Sequence, residues 1–324
     1  RLVVAIAFDE PFSSVARLVA YGAYTQRLGC PVVFALLPHE RERRPFDLAA
    51  FSPTLDAPVV APLELEPAQG DVVMFSTPRV HHALEARYGK MRPRFVHLIQ
   101  SGVAASVLAD MGYGYRLLHK PLQRIVVSEC AEATIRRLVV DDIAMTRIDA
   151  AFDLAPFAQE VASNAPLAVA INAFDGDETG QAVDAARERG FAGKLHVVTA
   201  DAPLEARAAA YRRSAVLLSS PRLGEGVCQP AWEAMAAGCA IVMADCEALQ
   251  TLPGTAGPAH VVRGGHVESM ANALLSIAEL APRARVALQR AAQEMIPRGP
   301  AAADAEADAA GAVLGQLIAD AERV

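Results

Sequence analysis

The sequence predicts an α/β protein made of two doubly wound halves. Three observations support this class: short apolar runs rich in β-branched residues recur, helical stretches lie between several of them, and the alternation restarts in the second half. Apolar runs with few interleaved polar residues are typical of strands buried on both faces, and their alternation with helices predicts parallel sheets with right-handed crossovers. The length of 324 residues agrees with about two domains.

The first half contains five predicted strands and three predicted helices. The strands are residues 2–8, 31–37, 71–76, 95–100 and 124–128. The helices are residues 14–28, 80–88 and 129–139. Strand and helix therefore alternate, as they do in a parallel sheet with helical crossovers.

The second half repeats this alternation and then becomes mainly helical. Its predicted strands are residues 167–172, 194–199, 215–219 and 239–244. Its predicted helices are residues 178–190, 203–213, 230–237, 267–280, 283–295 and 303–318. Pro230 fits a first helical position, where its missing N–H has no consequence, and Gly190 and Gly238 fit helix ends.

The two halves meet in an irregular segment with two prolines, TRIDAAFDLAPFAQEVASNAP. We place a domain boundary there, so the predicted domains are residues 1–152 and 153–324. Ligands of open parallel sheets bind outside the carboxyl ends of the strands. Two Rossmann-like domains facing a central cleft are therefore expected, with the site in that cleft.

The charge balance limits the class of partner. The chain has 30 Lys and Arg against 37 Asp and Glu, a net charge of −7. An acidic chain is a poor candidate for nonspecific nucleic-acid binding, although local basic patches are compatible with it. No apolar run approaches the roughly 18–20 residues of a transmembrane helix, so any membrane contact is expected to be peripheral.

The cysteines and histidines indicate neither a disulfide framework nor a metal site. Five scattered cysteines without a C-x-x-C pair suit a reducing compartment, so we expect a cytoplasmic protein. His81 and His82 are the only adjacent histidines, and neighbours on a helix point about 100° apart. The first residues lack a signal-peptide pattern, and the sequence begins with Arg1 rather than Met, which is compatible with a preceding segment.

Two carboxylates lie close together after the strand at residues 215–219. Glu225 lies between Gly224 and Gly226, and Glu233 lies about one turn into the following helix. Free N–H groups at a helix start bind anions, and carboxylates accept hydrogen bonds from sugar or ribose hydroxyls. One element therefore offers the groups that a nucleotide sugar needs. The alternative is structural: the helix dipole favours an acid in the first turn, and Glu225 would be an ordinary loop acid.

The surrounding residues, SSPRLGEGVCQPAWEAMAAGCAIVMAD, resemble the donor-binding signature of GT-B glycosyltransferases, particularly the large retaining group called family 4. The E-x7-E pair of that signature falls on Glu225 and Glu233. Three further segments are similar to family elements: RIVVSECAEATIRRLV, IDAAFDLAPF and RGGHVESMANALLSIAEL. In length and order the resemblance covers nearly the whole chain, and it implies that the final helix packs back on the N-terminal domain.

The resemblance implies a donor site with defined roles. Glu225 would contact the transferred sugar and Glu233 the ribose, whereas backbone N–H groups of Gly226, Val227 and Cys228 would hold the sugar or its phosphate. Gly224 and Ser219 belong to the same donor-binding set. Retention in the family is explained by a front-face mechanism, in which catalysis rests on positioning and charge stabilisation. No metal and no cofactor besides the nucleotide-sugar co-substrate are implied.

The segment after the first strand of the second half departs from the family. An Arg and a Lys usually bind the diphosphate there, but this chain has INAFDGDETGQ. Asn172 or Ala173 replaces the Arg, and Thr179 replaces the Lys, so Asn172 and Thr179 are the donor-side residues at these positions. Each lost charge-assisted hydrogen bond is worth about 1.5–3 kcal/mol. Arg222 and Arg263 lie in loops from which they could substitute.

The acceptor side also departs from the family. Ser13 and Ser14 replace a glycine pair after the first strand and could cap the following helix. Met74 and Ser76 stand where the family has a His-x-His pair, and His97 lies mid-strand, where a structural role is expected. Gln100 and Ser101, at the end of that strand, are the better-placed acceptor contacts.

These residues predict a retaining, metal-independent glycosyltransferase that moves a sugar from a nucleotide sugar to a glycan, a lipid-linked molecule or a small molecule. The missing Arg and Lys support an alternative, a non-catalytic GT-B module that binds a nucleotide, a glycan or a partner protein. A sugar-nucleotide epimerase on the same fold is a third hypothesis, which the E-x7-E pair disfavours.

Overall fold

A computed structural model of the chain describes residues 1–7, 12–37, 48, 51–52, 54–61, 63–102, 112–139, 143–161, 167–172, 178–199, 202–221, 226–250, 252, 260–262, 267–296 and 301–323. They form two compact units. Unit 1 is Arg1–Ala151 with Ala303–Val324, and unit 2 is Phe152–Ala302. The predicted domain boundary between residues 152 and 153 stays a prediction.

Strands and helices alternate through both units. The strands are β1 Leu2–Ala7, β2 Val32–Leu37, β3 Val59–Val60, β4 Val72–Phe75, β5 Arg94–Ile99, β6 Gln123–Val126, β7 Met145–Arg147, β8 Ala168–Asn172, β9 Lys194–Val198, β10 Val216–Ser219, β11 Ala240–Ala244 and β12 His260–Val262. The α-helices are α1 Phe12–Arg27, α2 Pro78–Tyr88, α3 Tyr113–Leu118, α4 Glu129–Leu138, α5 Glu178–Glu188, α6 Leu204–Arg212, α7 Gln229–Ala236, α8 Glu247–Gln250, α9 Val267–Glu279, α10 Pro282–Met295 and α11 Ala301–Glu322. Short 3₁₀ helices lie at Gly89–Met91 and Ala155–Phe157.

Each unit is organised around one parallel sheet. The described strands of unit 1 form a sheet in the order β3-β2-β1-β4-β5-β6-β7, and those of unit 2 form one in the order β12-β11-β10-β8-β9. Every described strand pair is parallel. This confirms the predicted α/β class with parallel sheets.

Several short elements were not expected from the sequence. Strands β3, β7 and β12 have two or three residues, and α3 and α8 have six and four. The segment predicted to be irregular begins at Thr146, yet Thr146 and Arg147 pair with β6 as part of β7. Elements this short have too few residues to show a period of two or 3.6.

The inner strands β10 and β11 of the unit 2 sheet are buried on both faces. Along β10, Val216 and Leu218 pack against α5 and α9, whereas Leu217 joins the opposite cluster with α6, α7 and α10. The same alternation occurs in β11, where Val242 faces one cluster and Met243 the other. Successive side chains of a strand point to opposite faces, so a strand covered on both sides has an uninterrupted apolar sequence.

A buried ion pair attaches the last helix to unit 1. Arg17 of α1 pairs with Glu306 of α11, and both side chains are almost fully buried. Glu306 Oε2 accepts a hydrogen bond from the Ala151 N–H (2.9 Å), and the Arg17 Nη1 donates to the Ala151 carbonyl (3.1 Å). The pair therefore holds Ala151, the last residue before unit 2, against α1 and α11.

In the described part of the chain, no helix combines the length and the apolar character that crossing a bilayer requires.

Replacing Arg17 with Met is expected to lower the free energy of unfolding by about 3–5 kcal/mol, because Glu306 then stays buried without its counter-charge. The double variant Arg17→Met/Glu306→Leu should recover most of that loss. Urea unfolding followed by circular dichroism measures both. The control Arg27→Met, on an exposed position of the same helix, should change stability by no more than about 1 kcal/mol, because it loses only an exposed contact with the Tyr24 ring (5.7 Å). Equal effects at Arg17 and Arg27 would contradict the buried pair.

Candidate functional site

The predicted donor-side residues of unit 2 gather where its strands end. Asn172 is the last residue of β8, and Ser219 is the last residue of β10. Because β8 and β10 are parallel neighbours, their carboxyl ends lie at one edge of the sheet. Helix α7 begins nearby at Gln229. This edge is the ligand-binding edge of open parallel sheets.

Helix α7 has the predicted start and stop. Pro230 lies in its first turn, where the missing N–H does not interrupt the helix. At the other end, Gly238 adopts φ +84° and its N–H bonds to the Met235 carbonyl, while the Cys239 N–H bonds to the Ala234 carbonyl. This bonding pattern is a Schellman motif, which requires a residue with positive φ. The loop before α7 is therefore followed by a helix with fixed ends.

The residues just before α7 pack tightly. Gly226, Val227 and Cys228 are all buried, with Cys228 1% exposed. Cys228 Sγ lies 3.9 Å from Ser219 Oγ, so the end of β10 and the start of α7 are in contact. Gly224 and Glu225 lie outside the described residues, as do Arg222 and Arg263. The positions of Ser219, Gly226, Val227 and Cys228 are compatible with the donor-binding roles, which stay predictions.

Glu233 is buried within a polar cluster. It is 2% exposed, and its carboxylate accepts from Arg207 Nη2 (3.1 Å) and from Gln229 Nε2 (2.9 Å), both at Oε1. Arg207 Nε is 3.4 Å from Oε2. Arg207 is itself 7% exposed and also donates to the Ala202 carbonyl. The acid predicted to bind ribose is thus paired with a buried cation from α6.

The protonation of Glu233 reflects two opposing effects. Burial raises its pKa, while the Arg207 guanidinium and the Gln229 amide lower it, and the net direction is upward. Tyr211, on the same face of α6 as Arg207, also interacts with this charge, and burial raises the pKa of its hydroxyl well above the ordinary value. The described titratable groups around Glu233 are therefore Arg207 and Tyr211.

Asn172 is held by the same cluster. The Tyr211 hydroxyl donates to Asn172 Oδ1 at 2.9 Å, which orients the amide. Asn172 is 1% exposed, and its Nδ2 has no hydrogen-bond partner. Thr179 lies in the first turn of α5 and is 2% exposed. At the positions where the family pattern has Arg and Lys, this chain therefore places a buried amide and a buried hydroxyl.

In unit 1 the predicted acceptor-side residues meet at the end of β5. Gln100 Nε2 donates to Ser14 Oγ (2.8 Å) and to the Ser14 carbonyl (3.1 Å). Ser101 is buried beside them in sequence. Helix α1 begins at Phe12, so Ser13 and Ser14 lie inside its first turn and do not precede it. The expectation that these serines cap the helix is wrong, because the helix starts two residues earlier than predicted.

Two histidines of unit 1, His97 and His81, have structural surroundings. His97 is buried and stacks on Phe75 with ring centroids 4.9 Å apart, and burial lowers its pKa to about 3. His81 packs on the same Phe75 ring, and burial lowers its pKa to about 4. Both rings are therefore neutral near pH 7. Among the described residues, no group of His, Cys, Asp and Glu could hold a metal ion.

No family model and no curated protein sequence matches this chain. Solved structures do. Sucrose-phosphate synthase from Thermosynechococcus elongatus superposes with a TM-score of 0.69 at 14% identity, covering 99% of this chain and 100% of that one. Anabaena HepE in complex with UDP-glucose has a TM-score of 0.69 at 10% identity, covering 98% and 99%. WaaG, a glycosyltransferase involved in lipopolysaccharide biosynthesis, has a TM-score of 0.60 at 9% identity, covering 91% and 94%.

The chain has the GT-B fold. The likeness covers nearly the whole length of both chains in each comparison. At these low identities it concerns the fold only, so the roles of individual residues in this GT-B chain depend on the local geometry described above.

Sequence reasoning missed two members of the unit 2 cluster, Arg207 and Tyr211. They are four residues apart in α6 and therefore share one face of the helix. The sequence feature that could have shown them is an Arg four residues before a Tyr in an alanine-rich stretch, a spacing that places both on one face of a helix. Trp232, on α7, packs against an aromatic ring: its ring centroid lies 5.7 Å from that of Phe152.

Replacing Arg207 with Met should lower the free energy of unfolding by about 3–5 kcal/mol near neutral pH, because Glu233 stays buried without its counter-charge. A carboxyl whose pKa is higher in the folded state than in the unfolded state binds its proton more tightly in the folded state. The free energy of unfolding therefore rises as the pH falls through the interval between those two pKa values. Arg207→Met raises this pKa further. The deficit relative to the parent chain should therefore shrink on acidification from about pH 8 to about pH 5.

Urea unfolding across that pH range measures the deficit. Arg213→Met, at an exposed position beyond the same helix, is the matched control, and it should show neither the loss nor the pH dependence. A deficit at Arg207 that did not change with pH would contradict the assigned pairing.

Proposed function

We propose that this chain is a retaining glycosyltransferase. It transfers a sugar from a nucleotide-sugar donor to a glycan, a lipid-linked acceptor or a small molecule. The observation that carries the proposal is the placement of the E-x7-E segment. Its second acid, Glu233, lies in the helix that starts beside the carboxyl end of β10, within a GT-B fold.

The comparisons support a nucleotide-sugar donor. HepE has been solved with UDP-glucose, with UDP and glucose, and with UDP. WaaG is described as a glycosyltransferase, and sucrose-phosphate synthase is named as an enzyme that makes a sugar phosphate. We carry this class over to the present chain because its signature lies at the corresponding kind of position, the carboxyl edge of the second parallel sheet.

The donor would be bound by three kinds of group. Backbone N–H groups at the start of α7, around Gly226 and Cys228, suit a phosphate or sugar oxygen. Glu225 would accept hydrogen bonds from the transferred sugar. Glu233 would accept one from the ribose: a carboxylate has about four acceptor positions, and Arg207 and Gln229 donate to three of them.

Catalysis would depend on position and charge rather than on a metal. In a front-face transfer, the leaving diphosphate assists removal of the acceptor proton, and Glu225 holds the sugar in the reactive orientation. The diphosphate needs stabilisation by hydrogen-bond donors. The Asn172 amide, whose Nδ2 has no partner and whose Oδ1 is fixed by Tyr211, is the described donor at the position of the usual Arg.

The residues at the positions of the family's Arg and Lys also favour a second function. A buried amide and the buried hydroxyl of Thr179 carry no positive charge, which suits a non-catalytic GT-B module that binds a nucleotide, a glycan or a partner protein. Both functions use the same fold, but only the glycosyltransferase turns over a nucleotide sugar. For either one we propose a cytoplasmic location, since the five cysteines are free, as is usual in a reducing compartment.

Isothermal calorimetry with UDP, GDP, ADP, CMP and TDP should show binding of one nucleotide, which names the donor class. With the matching nucleotide sugar, release of the nucleotide measures turnover. Glu225→Gln should reduce turnover by about a hundredfold or more, because it removes a charge-assisted contact to the sugar worth about 1.5–3 kcal/mol and misplaces the reacting carbon. It should leave nucleotide affinity nearly unchanged.

Glu233→Gln should instead weaken nucleotide affinity by about tenfold. Glu279→Gln, an exposed glutamate at the end of α9, is the control for both and should match the parent chain. Full turnover in Glu225→Gln would contradict the assigned role. Nucleotide binding without turnover in the parent chain would favour the module, and no binding to any nucleotide would overturn the donor site.

A further inference from the structure

A pocket lies at the opposite edge of the unit 1 sheet from the predicted acceptor residues. Its volume is about 680 Å³, within the range of small-molecule sites. It is lined by residues at the starts of β5 and β6 and just before β7. Along β5, from Arg94 to Gln100, the two edges are roughly 20 Å apart. The pocket is therefore separate from the candidate sugar-transfer site.

The lining combines positive charge with apolar walls. Arg94, His119, Lys120 and Arg124 line the pocket, and no acidic residue is among the described residues that do. The apolar walls include Phe95, Leu122, Ile143 and Leu317. This composition is unusual for a chain with a net charge of −7. It favours a ligand that carries both a negative charge and an apolar part.

Arg124 gives the pocket a buried positive charge. It is 1% exposed, and its guanidinium donates to the carbonyls of Leu117, Leu118, Lys120 and Leu122. These contacts hold the end of α3 and the following turn around the guanidinium. Its Nε–H has no partner, and no carboxylate in the described part of the chain pairs with it. A buried charge without a counter-charge makes the nearby pocket favourable for an anion.

The rim adds two cations and an exposed aromatic ring. Arg94 donates to the Asp320 carbonyl (3.1 Å) and pairs with the Asp320 carboxylate (3.9 Å), and Lys120 pairs with Glu85. Each rim cation is therefore partly neutralised by one acid, and both side chains keep about a third of their surface exposed. Tyr115 is 42% exposed, and its ring lies 4.5 Å from that of His119. Aromatic and basic groups at one surface are typical of contacts with lipid headgroups.

The sequence around the pocket has the same bias. Between residues 86 and 128, Asp110 is the single acid. The basic residues of that stretch are Arg87, Lys90, Arg92, Arg94, Arg116, Lys120 and Arg124. The remainder of the chain is correspondingly more acidic. The positive charge is therefore concentrated in the segments that form the β5 and β6 side of the pocket. The other lining segments have acids near them in the sequence, since Asp141 and Asp142 precede Ile143 and Asp320 follows Leu317.

We propose that this pocket binds the phosphate headgroup of an anionic lipid, with Arg94 and Lys120 at its rim and Arg124 beneath it. The phosphate is attracted by the three cations, and the adjacent acyl or glycerol carbons contact Phe95, Leu122 and the exposed Tyr115. The site attaches unit 1 to a negatively charged membrane surface. It acts independently of the nucleotide site, so its test does not need the sugar-transfer activity.

The test is vesicle co-sedimentation of the full chain. The parent chain should bind vesicles that contain phosphatidylglycerol and should not bind vesicles of phosphatidylcholine alone. The double variant Arg94→Gln/Lys120→Gln should bind the anionic vesicles roughly thirtyfold more weakly, since each basic residue near an anionic surface changes the partition by about fivefold. Added salt should weaken binding of the parent chain.

Two variants separate the pocket from general charge attraction. Arg283→Gln/Arg290→Gln removes the same charge from exposed positions of α10 and should bind like the parent chain. Ala144→Gln, at an exposed residue of the lining, obstructs the pocket without a charge change and without an aromatic ring that would itself favour the membrane surface, so it should also weaken binding. Thermal unfolding by circular dichroism verifies that each variant is folded.

Four results would overturn the proposal. They are equal loss in the two double variants, unchanged binding in Ala144→Gln, no binding of the parent chain to anionic vesicles, and binding to an oligonucleotide in place of vesicles. Soluble glycerol phosphate distinguishes a free phosphate ligand from a lipid. If it binds the parent chain and vesicles do not, the lipid assignment is wrong.

Discussion

The buried pair of Arg207 and Glu233 is the interaction on which the candidate donor site depends. Neither charge is stable in the interior alone, so α6 and α7 must keep the relative position that brings the guanidinium to the carboxylate. The same helix face carries Tyr211, which fixes the Asn172 amide at the end of β8. One contact therefore aligns groups from three elements, and a shift of either helix would leave several buried polar groups without partners.

The pair also changes the interpretation of the E-x7-E signature. In a solvent-exposed site the second acid would be free to bind both hydroxyls of a ribose. In this chain most of its acceptor positions are occupied by side chains of the protein. A buried positive charge is present on α6, where Arg207 neutralises Glu233. It does not replace the Arg and the Lys of the family pattern, because its charge is balanced by that acid.

Features set by interactions between residues close in sequence were predictable, whereas contacts between residues far apart in sequence were not. Strands β8, β10 and β11 were predictable because burial on both faces leaves an apolar run, and α7 was predictable because Pro230 and Gly238 mark its ends locally. The partner of Glu233 was not, since Arg207 is 26 residues away and nothing in the local pattern specifies which charges meet. The positions of Gly224 and Glu225 lie outside the described residues, so the first acid of the signature rests on the sequence alone.

The contact of Arg17 and Glu306 with Ala151 has a consequence for biosynthesis. Unit 1 is discontinuous in sequence: Arg1–Ala151 precede unit 2 in the chain, whereas Ala303–Val324 follow unit 2 and are made after it. Until α11 emerges, Arg17 lacks the buried carboxylate that neutralises it, and the chain at Ala151 lacks its anchor. Unit 2 is a continuous segment and contains its own sheet and core. During translation, the segment made second can therefore complete its fold before the segment made first.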